Sequence, residues 1–317
     1  MKKLILSVAM LCATALLFAQ QPQSPNCIDC EIDQVIPATI GSGSWDNISD
    51  LDQRGYMNMA HVLQEGAGNY SKIDQDGANF GDGGHENNAY VSQQGFNNHS
   101  DIDHNGDRNT GNVNQIGWRN YTKQVVGVGF AEDNMASSTQ AGRANVAYQS
   151  QYYDNNTATI SQMGRLPNTW GNRNYAEQYQ NSGSDGAAGN TAEIAQRGDD
   201  NAAQQTQNGS NNNAYAFQSG YSNTSVENQT SVSGGLAMND SDVMQYGTSN
   251  KACINQDAIG ADNLSYVYQR GYMNTALVDQ TTSATAIGNN NSNVNQVGRM
   301  NGACVTQYNQ NPAYFSW

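Results

Sequence analysis

The string Gln-x-Gly-x-x-Asn recurs intact eleven times, and a fixed period of this kind restricts the chain to an array of near-identical units. It starts at Gln53, Gln64, Gln93, Gln115, Gln140, Gln196, Gln207, Gln218, Gln245, Gln269 and Gln296. Its glycines are Gly55, Gly66, Gly95, Gly117, Gly142, Gly198, Gly209, Gly220, Gly247, Gly271 and Gly298. Its asparagines are Asn58, Asn69, Asn98, Asn120, Asn145, Asn201, Asn212, Asn223, Asn250, Asn274 and Asn301. From each asparagine the next Gln usually falls six residues on, through a segment reading Asn, x, small, x, aliphatic, x, Gln. Asn58-Met-Ala60-His-Val62-Leu-Gln64 and Asn274-Thr-Ala276-Leu-Val278-Asp-Gln280 are clear copies. The chain holds 21 such arms, the first at Asn47 and the last at Asn301, and the seventh has Val126 in the Gln slot.

In a strand, residues two apart share a face. The face repeated in every arm is therefore Asn, small, aliphatic, Gln, while the intervening positions vary and are mostly polar. The constant face must point inward. Asn and Gln at its two ends can bond their copies above and below, and the glycine link supplies a tight turn that needs positive φ. This predicts an all-β, amyloid-like two-sheet β-solenoid over residues 47–307. At two arms per rung it has about ten rungs and, at roughly 4.8 Å each, a length of about 50 Å.

The insertions support two arms per rung. Extra residues follow arms 3, 7, 10, 11, 15, 17 and 19, so six of these seven links run from an odd arm to an even one. Even arms carry mostly Val or Ile at the aliphatic position. Five consecutive odd arms carry Gln124, Gln149, Gln178, Gln205 and Glu227 there instead. Those five are expected to form a polar column inside one sheet.

Composition fits this scheme. Of 317 residues, 37% are hydrophobic, and 43 Asn, 30 Gln and 32 Gly leave too few aliphatics for a wide core. Only 5 Pro, with 17 Tyr, sets the chain apart from a disordered linker. A net charge of −14 disfavours nucleic acid and anionic membrane surfaces, both of which need clustered Lys and Arg. It suits a protein held soluble before it assembles.

Residues 1–19 read as a secretory signal, with Lys2 and Lys3 ahead of the apolar run Leu4 to Phe18. Without it, 12 basic and 28 acidic residues leave −16. Residues 20–46 form a leader segment and 308–317 an aromatic tail with Tyr314, Phe315 and Trp317. Cys27 and Cys30 have metal or redox spacing but no second pair nearby, so a local disulfide or free thiols are favoured over zinc. Cys253 and Cys304 fall at the same outward position two rungs apart and are not expected to pair with each other.

No catalytic, cofactor or metal residues are assigned. The histidines are His61, His85, His99 and His104, and His104 stands in a Gln ladder slot. Asp74, Asp76, Asp199 and Asp200 lie beside turn glycines, where Asp is ordinary turn chemistry.

The repeat resembles the curlin repeat, the unit of curli amyloid fibres. Gln64-Glu-Gly66-Ala-Gly68-Asn69 and Gln93-Gln-Gly95-Phe-Asn-Asn98 match its turn. Asn58-x-Ala60 through Gln64 and Asn250-x-Ala252 through Gln256 match its second strand. The arms depart from the family in opening with Asn rather than Ser, in their larger number, and in a leader that is not Gly-rich. The resemblance implies a secreted, self-polymerising fibre subunit, partnered by a nucleator and an outer-membrane export pore and serving adhesion and biofilm. A minor nucleating or capping subunit and a monomeric solenoid adhesin are the alternatives.

Overall fold

The computed structural model describes residues 32, 34, 46–76, 85–128, 131–164, 172–184, 186–286 and 288–309. The signal, Cys27 and Cys30, most of the leader and the tail beyond Asn309 lie outside the described residues.

There are 21 strands and no helix among the described residues. The first seven are β1 (Ile48–Gln53), β2 (Met59–Ala67), β3 (Tyr70–Asp76), β4 (Asn88–Phe96), β5 (His99–Asn105), β6 (Thr110–Trp118) and β7 (Tyr121–Val128). Then come β8 (Met135–Arg143), β9 (Val146–Tyr152), β10 (Thr157–Met163), β11 (Tyr175–Asn181), β12 (Thr191–Asp199), β13 (Ala202–Asn208) and β14 (Asn212–Tyr221). The last are β15 (Thr224–Ser231), β16 (Asn239–Thr248), β17 (Lys251–Ala258), β18 (Asn263–Tyr272), β19 (Thr275–Thr282), β20 (Asn290–Arg299) and β21 (Gly302–Asn309).

Odd strands make one parallel sheet of 11, even strands a second of 10, each in strict sequence order. The fold is the two-sheet β-solenoid that the period predicts. Register is in step with the repeat: Val91 pairs with Val62 and Val113, and Gln93 with Gln64 and Gln115. The odd-to-even links, where the insertions gather, lie on one edge of the coil. Nine of the eleven intact motifs close an even strand, so they mark the tight edge. The Gln53 and Gln207 motifs close odd strands.

The interior is a thin apolar layer between two polar rails. Near one end it holds Ile73, Ala89, Val91, Ile102 and Val113, and near the other Val243, Ile254, Val267 and Val278. In the middle it thins to Ala147, Ile160, Ala176, Ile194, Ala203 and Ala216. There the odd sheet contributes only alanine, because its aliphatic slot holds glutamine.

Candidate functional site

The recurring Asn and Gln side chains form continuous ladders along the coil. Asn98 shows the unit. Its backbone N and its Nδ2 both donate to Asn69 Oδ1 at 3.1 Å, and its Nδ2 also donates to Gly117 O at 3.1 Å in the turn of the next rung. Asn120, Asn145, Asn174, Asn201, Asn223, Asn250, Asn274 and Asn301 each bond the previous asparagine in the same way. In the even sheet Asn87 N donates to Asn58 Oδ1, and Asn212 Nδ2 to Asn190 Oδ1.

The even-sheet Gln ladder is unbroken. Gln64, Gln93, Gln115, Gln140, Gln162, Gln196, Gln218, Gln245 and Gln269 each donate Nε2 to the Oε1 of the next, ending on Gln296, at 2.8–2.9 Å. The same Nε2 groups reach across to the opposite sheet, as from Gln196 to Tyr175 O and from Gln269 to Lys251 O, both at 2.9 Å. The rails therefore stitch rungs together and sheets together at once. In the odd sheet Gln53 donates to Gln75 at 2.7 Å, then the line is interrupted at His104 and Val126. It resumes at Gln151 and runs through Gln180 and Gln207 to Gln307.

The ladders have a direction. Glutamines donate forward along the chain and asparagines accept from the following rung. The leading glutamine of any run therefore has no donor behind it. Gln124 Oε1 and Gln151 Oε1 are buried and unpartnered for this reason, behind Ile102 and Val126 respectively.

The inner polar column is complete. Gln124 donates to Gln149 at 2.8 Å, Gln149 to Gln178 and Gln178 to Gln205 at 3.0 Å, and Gln205 to Glu227 at 3.1 Å. Glu227 is fully buried, and burial first of all pushes its carboxyl up to about 8 against the lowering effect of Ser241 and Gln205. Ser241 Oγ lies 2.5 Å from its Oε2. Val226 stays on the outward face beside it, so no bulge relieves the site. The column sets an order of tolerance for substitutions. Val91→Gln would bury a lone carboxamide among Ile73, Ile102 and Val113, costing about 3 kcal/mol. Gln178→Val removes two ladder bonds but adds an aliphatic where alanines leave room, so about 1–2 kcal/mol is expected. Denaturant melts of the two variants check the order, and a milder Val91→Gln would contradict the column.

His104 is fully buried in its Gln slot, 3.3 Å from Gln75 through Nδ1, and burial lowers it to about 3, so it is neutral. Gly111 faces it from the even sheet, where a Cβ would come within 2.6 Å of the imidazole. His99 stacks between Tyr70 and Tyr121 on the outer face. Asp74 faces Lys72 at 4.0 Å and Asp200 pairs with Arg173 at 2.9 Å. Among the described residues no group of His, Cys, Asp and Glu converges as a metal would require.

The motif glycines all take positive φ, from +88° at Gly209 to +133° at Gly220. A second left-handed position carries no sequence signature. The residue before the ladder asparagine is Met57, Asn97, Arg108, Arg119, Ala144 or Met273 in different arms, each at φ +54° to +60°. The asparagine holds that turn shut by donating Nδ2 four residues back, as Asn58 does to Arg54 O and Asn250 to Tyr246 O.

At the N-terminal end of the described coil the interior is open. Leu51 in β1 is 48% exposed, whereas its next copies, Ile73 and Ile102, are at most 1% exposed. No curated protein matches the chain. A match to known families does exist, and it falls on the first rung and a half of this coil: residues 46–77 fit the curlin associated repeat family.

Proposed function

We propose that this chain is the secreted structural subunit of a curli-like amyloid fibre, polymerising head to tail and displayed at the cell surface for adhesion and biofilm. The open first rung carries the reading. Leu51 is half exposed at a position that every interior rung buries. At the N-terminal edge Gln53 and Gln64 present acceptors, and at the C-terminal edge Gln296 and Gln307 present donors. One copy thus continues the rails of another with a single polarity. The match over residues 46–77 supports the same reading. A signal at 1–19, a nucleating subunit and an outer-membrane export pore belong to this proposal.

Acidic charge slows the encounter of copies, so growth should quicken as pH falls toward the pI of about 4.4. The test is incubation of the purified mature chain, followed by thioflavin fluorescence and fibre diffraction. Reflections near 4.8 Å and 10 Å along with rising fluorescence are expected. A chain that stays monomeric at high concentration and low pH is instead a self-contained solenoid adhesin.

A further inference from the structure

The asparagine rail of the odd sheet is 0% exposed at every member from Asn69 to Asn274, and it reaches the surface only at its two ends, Asn47 and Asn301. Among the described residues β21 is the last strand of that sheet. Asn301 Nδ2 donates back to Asn274 Oδ1 at 2.9 Å and to Val297 O at 3.2 Å, which closes its own turn. Its predecessors make a third bond, to a glycine carbonyl one rung on, as Asn250 does to Gly271 O and Asn274 to Gly298 O. Asn301 has no counterpart of that bond among the described residues.

The residue after Asn301 is glycine. In an Asn-Gly pair the backbone nitrogen reaches the preceding carboxamide most easily, because no Cβ crowds the approach. Thr275 is in register with Gly302, and Thr275 N donates to Asn301 O. Successive residues of a strand in a parallel ladder turn their backbone groups to opposite neighbours. Gly302 N therefore points away from β19, and the residue is exposed. The chain has two other Asn-Gly pairs, at Asn105 and Asn208, and both are protected. Gly209 N donates to Asn181 O at 2.9 Å, and Gly106 is buried in its turn. At the opposite end of the rail Asn47 precedes Ile48, whose branched side chain crowds the same approach.

We infer that Asn301 is a self-deamidating site that limits the life of the odd sheet's last strand. Gly302 N gives up its proton and bonds to Asn301 Cγ, the Cγ–Nδ2 bond breaks, and ammonia leaves with that proton. The product is a succinimide, which water opens at either carbonyl to aspartate or isoaspartate. Both products lack the Nδ2 donor, so Asn274 Oδ1 and Val297 O then face a carboxylate and the turn is no longer held shut. Isoaspartate also adds a methylene to the backbone, which puts β21 out of step with β19. On the fibre reading, a copy joined at this edge would cover Asn301 and engage Gly302 N, so the reaction would retire free ends and spare joined ones.

The experiment incubates the purified monomeric chain in mildly alkaline heavy-oxygen water, digests it with a protease that cuts after Arg and Lys, and reads the fragments by tandem mass spectrometry. Asn301 should exchange its amide nitrogen for labelled oxygen at least roughly fivefold faster than Asn208, the factor that holding Gly209 N in one hydrogen bond represents. It should also outpace Asn47. Gly302→Thr copies Thr275 and Thr224 at the same register position and should slow conversion to the rate at Asn47. Conversion at Asn301 no faster than at Asn208 or Asn47, or undiminished in Gly302→Thr, would overturn the inference. As a second measurement, hydrogen exchange on the converted chain should show β21 losing protection while β19 keeps it, and unchanged protection of β21 would also overturn it. Both measurements are made on the single chain, so their failure leaves the fibre reading standing, and a failure to polymerise leaves them standing.

Discussion

Replacing Glu227 by Gln should leave the stability of the coil nearly unchanged at pH 4 and raise it by about 4 kcal/mol at pH 9. The carboxyl titrates near 4.5 in the unfolded chain and is pushed up to about 8 in the fold, chiefly by burial. The folded chain thus holds a proton that the unfolded chain releases. Its stabilising share is fully present below pH 4.5, declines between 4.5 and about 8, and is gone above. Asp242 on the facing sheet adds to the upward push. The next strand offers Ile254 at this position, so a glutamine here would have no ladder acceptor ahead of it. An acid can end the column by accepting from Gln205, which is why the variant gains nothing at low pH. Denaturant unfolding of both proteins at pH 4 and pH 9 reads the difference directly. A pH-independent gap between them would sink the account.

Gly271→Val should cost more than about 4 kcal/mol and slow any fibre growth far more than Tyr266→Ser, which should change stability by less than about 1 kcal/mol. Gly271 has φ +131°, a conformation barred to a β-branched residue, and an added Cβ would stand 1.8 Å from Gly298 O. That oxygen cannot move away, because Asn274 Nδ2 holds it from one side while Asn250 Nδ2 holds Gly271 O from the other. Tyr266 is on the outer face with its hydroxyl on Met244 Sδ at 3.7 Å. Thermal melts and seeded growth rates of the two variants would compare them. Equal losses would mean that the stacked glycines carry no special constraint.

Much of this architecture was legible because one period expresses itself in three ways. Alternation gave the inward face, and the insertions after odd arms gave the division into two sheets. The run from Gln124 to Glu227 could be placed in one column only because its members recur on every second arm. Other features left no trace in residue identity. The left-handed residue at Met57 or Arg119 is exposed and free to vary, and its conformation is imposed by the neighbouring asparagine. The glycine at Gly111 reads as a weak copy of the small position until His104 is seen across the interior.

The unequal sheets, eleven strands against ten, bear on symmetry. The described residues make ten and a half turns of coil. A copy that continues it without leaving a gap must begin half a turn round, with its β1 over β20 and its β2 over β21. Apart from sheet twist, a filament built in this way would have a two-fold screw axis, and its axial repeat would be two molecules, or about 100 Å at roughly 4.8 Å per rung. Successive subunits turn opposite faces to a given side. Whatever the odd sheet displays would alternate along both flanks of the filament, giving a fibre without a distinct front and back.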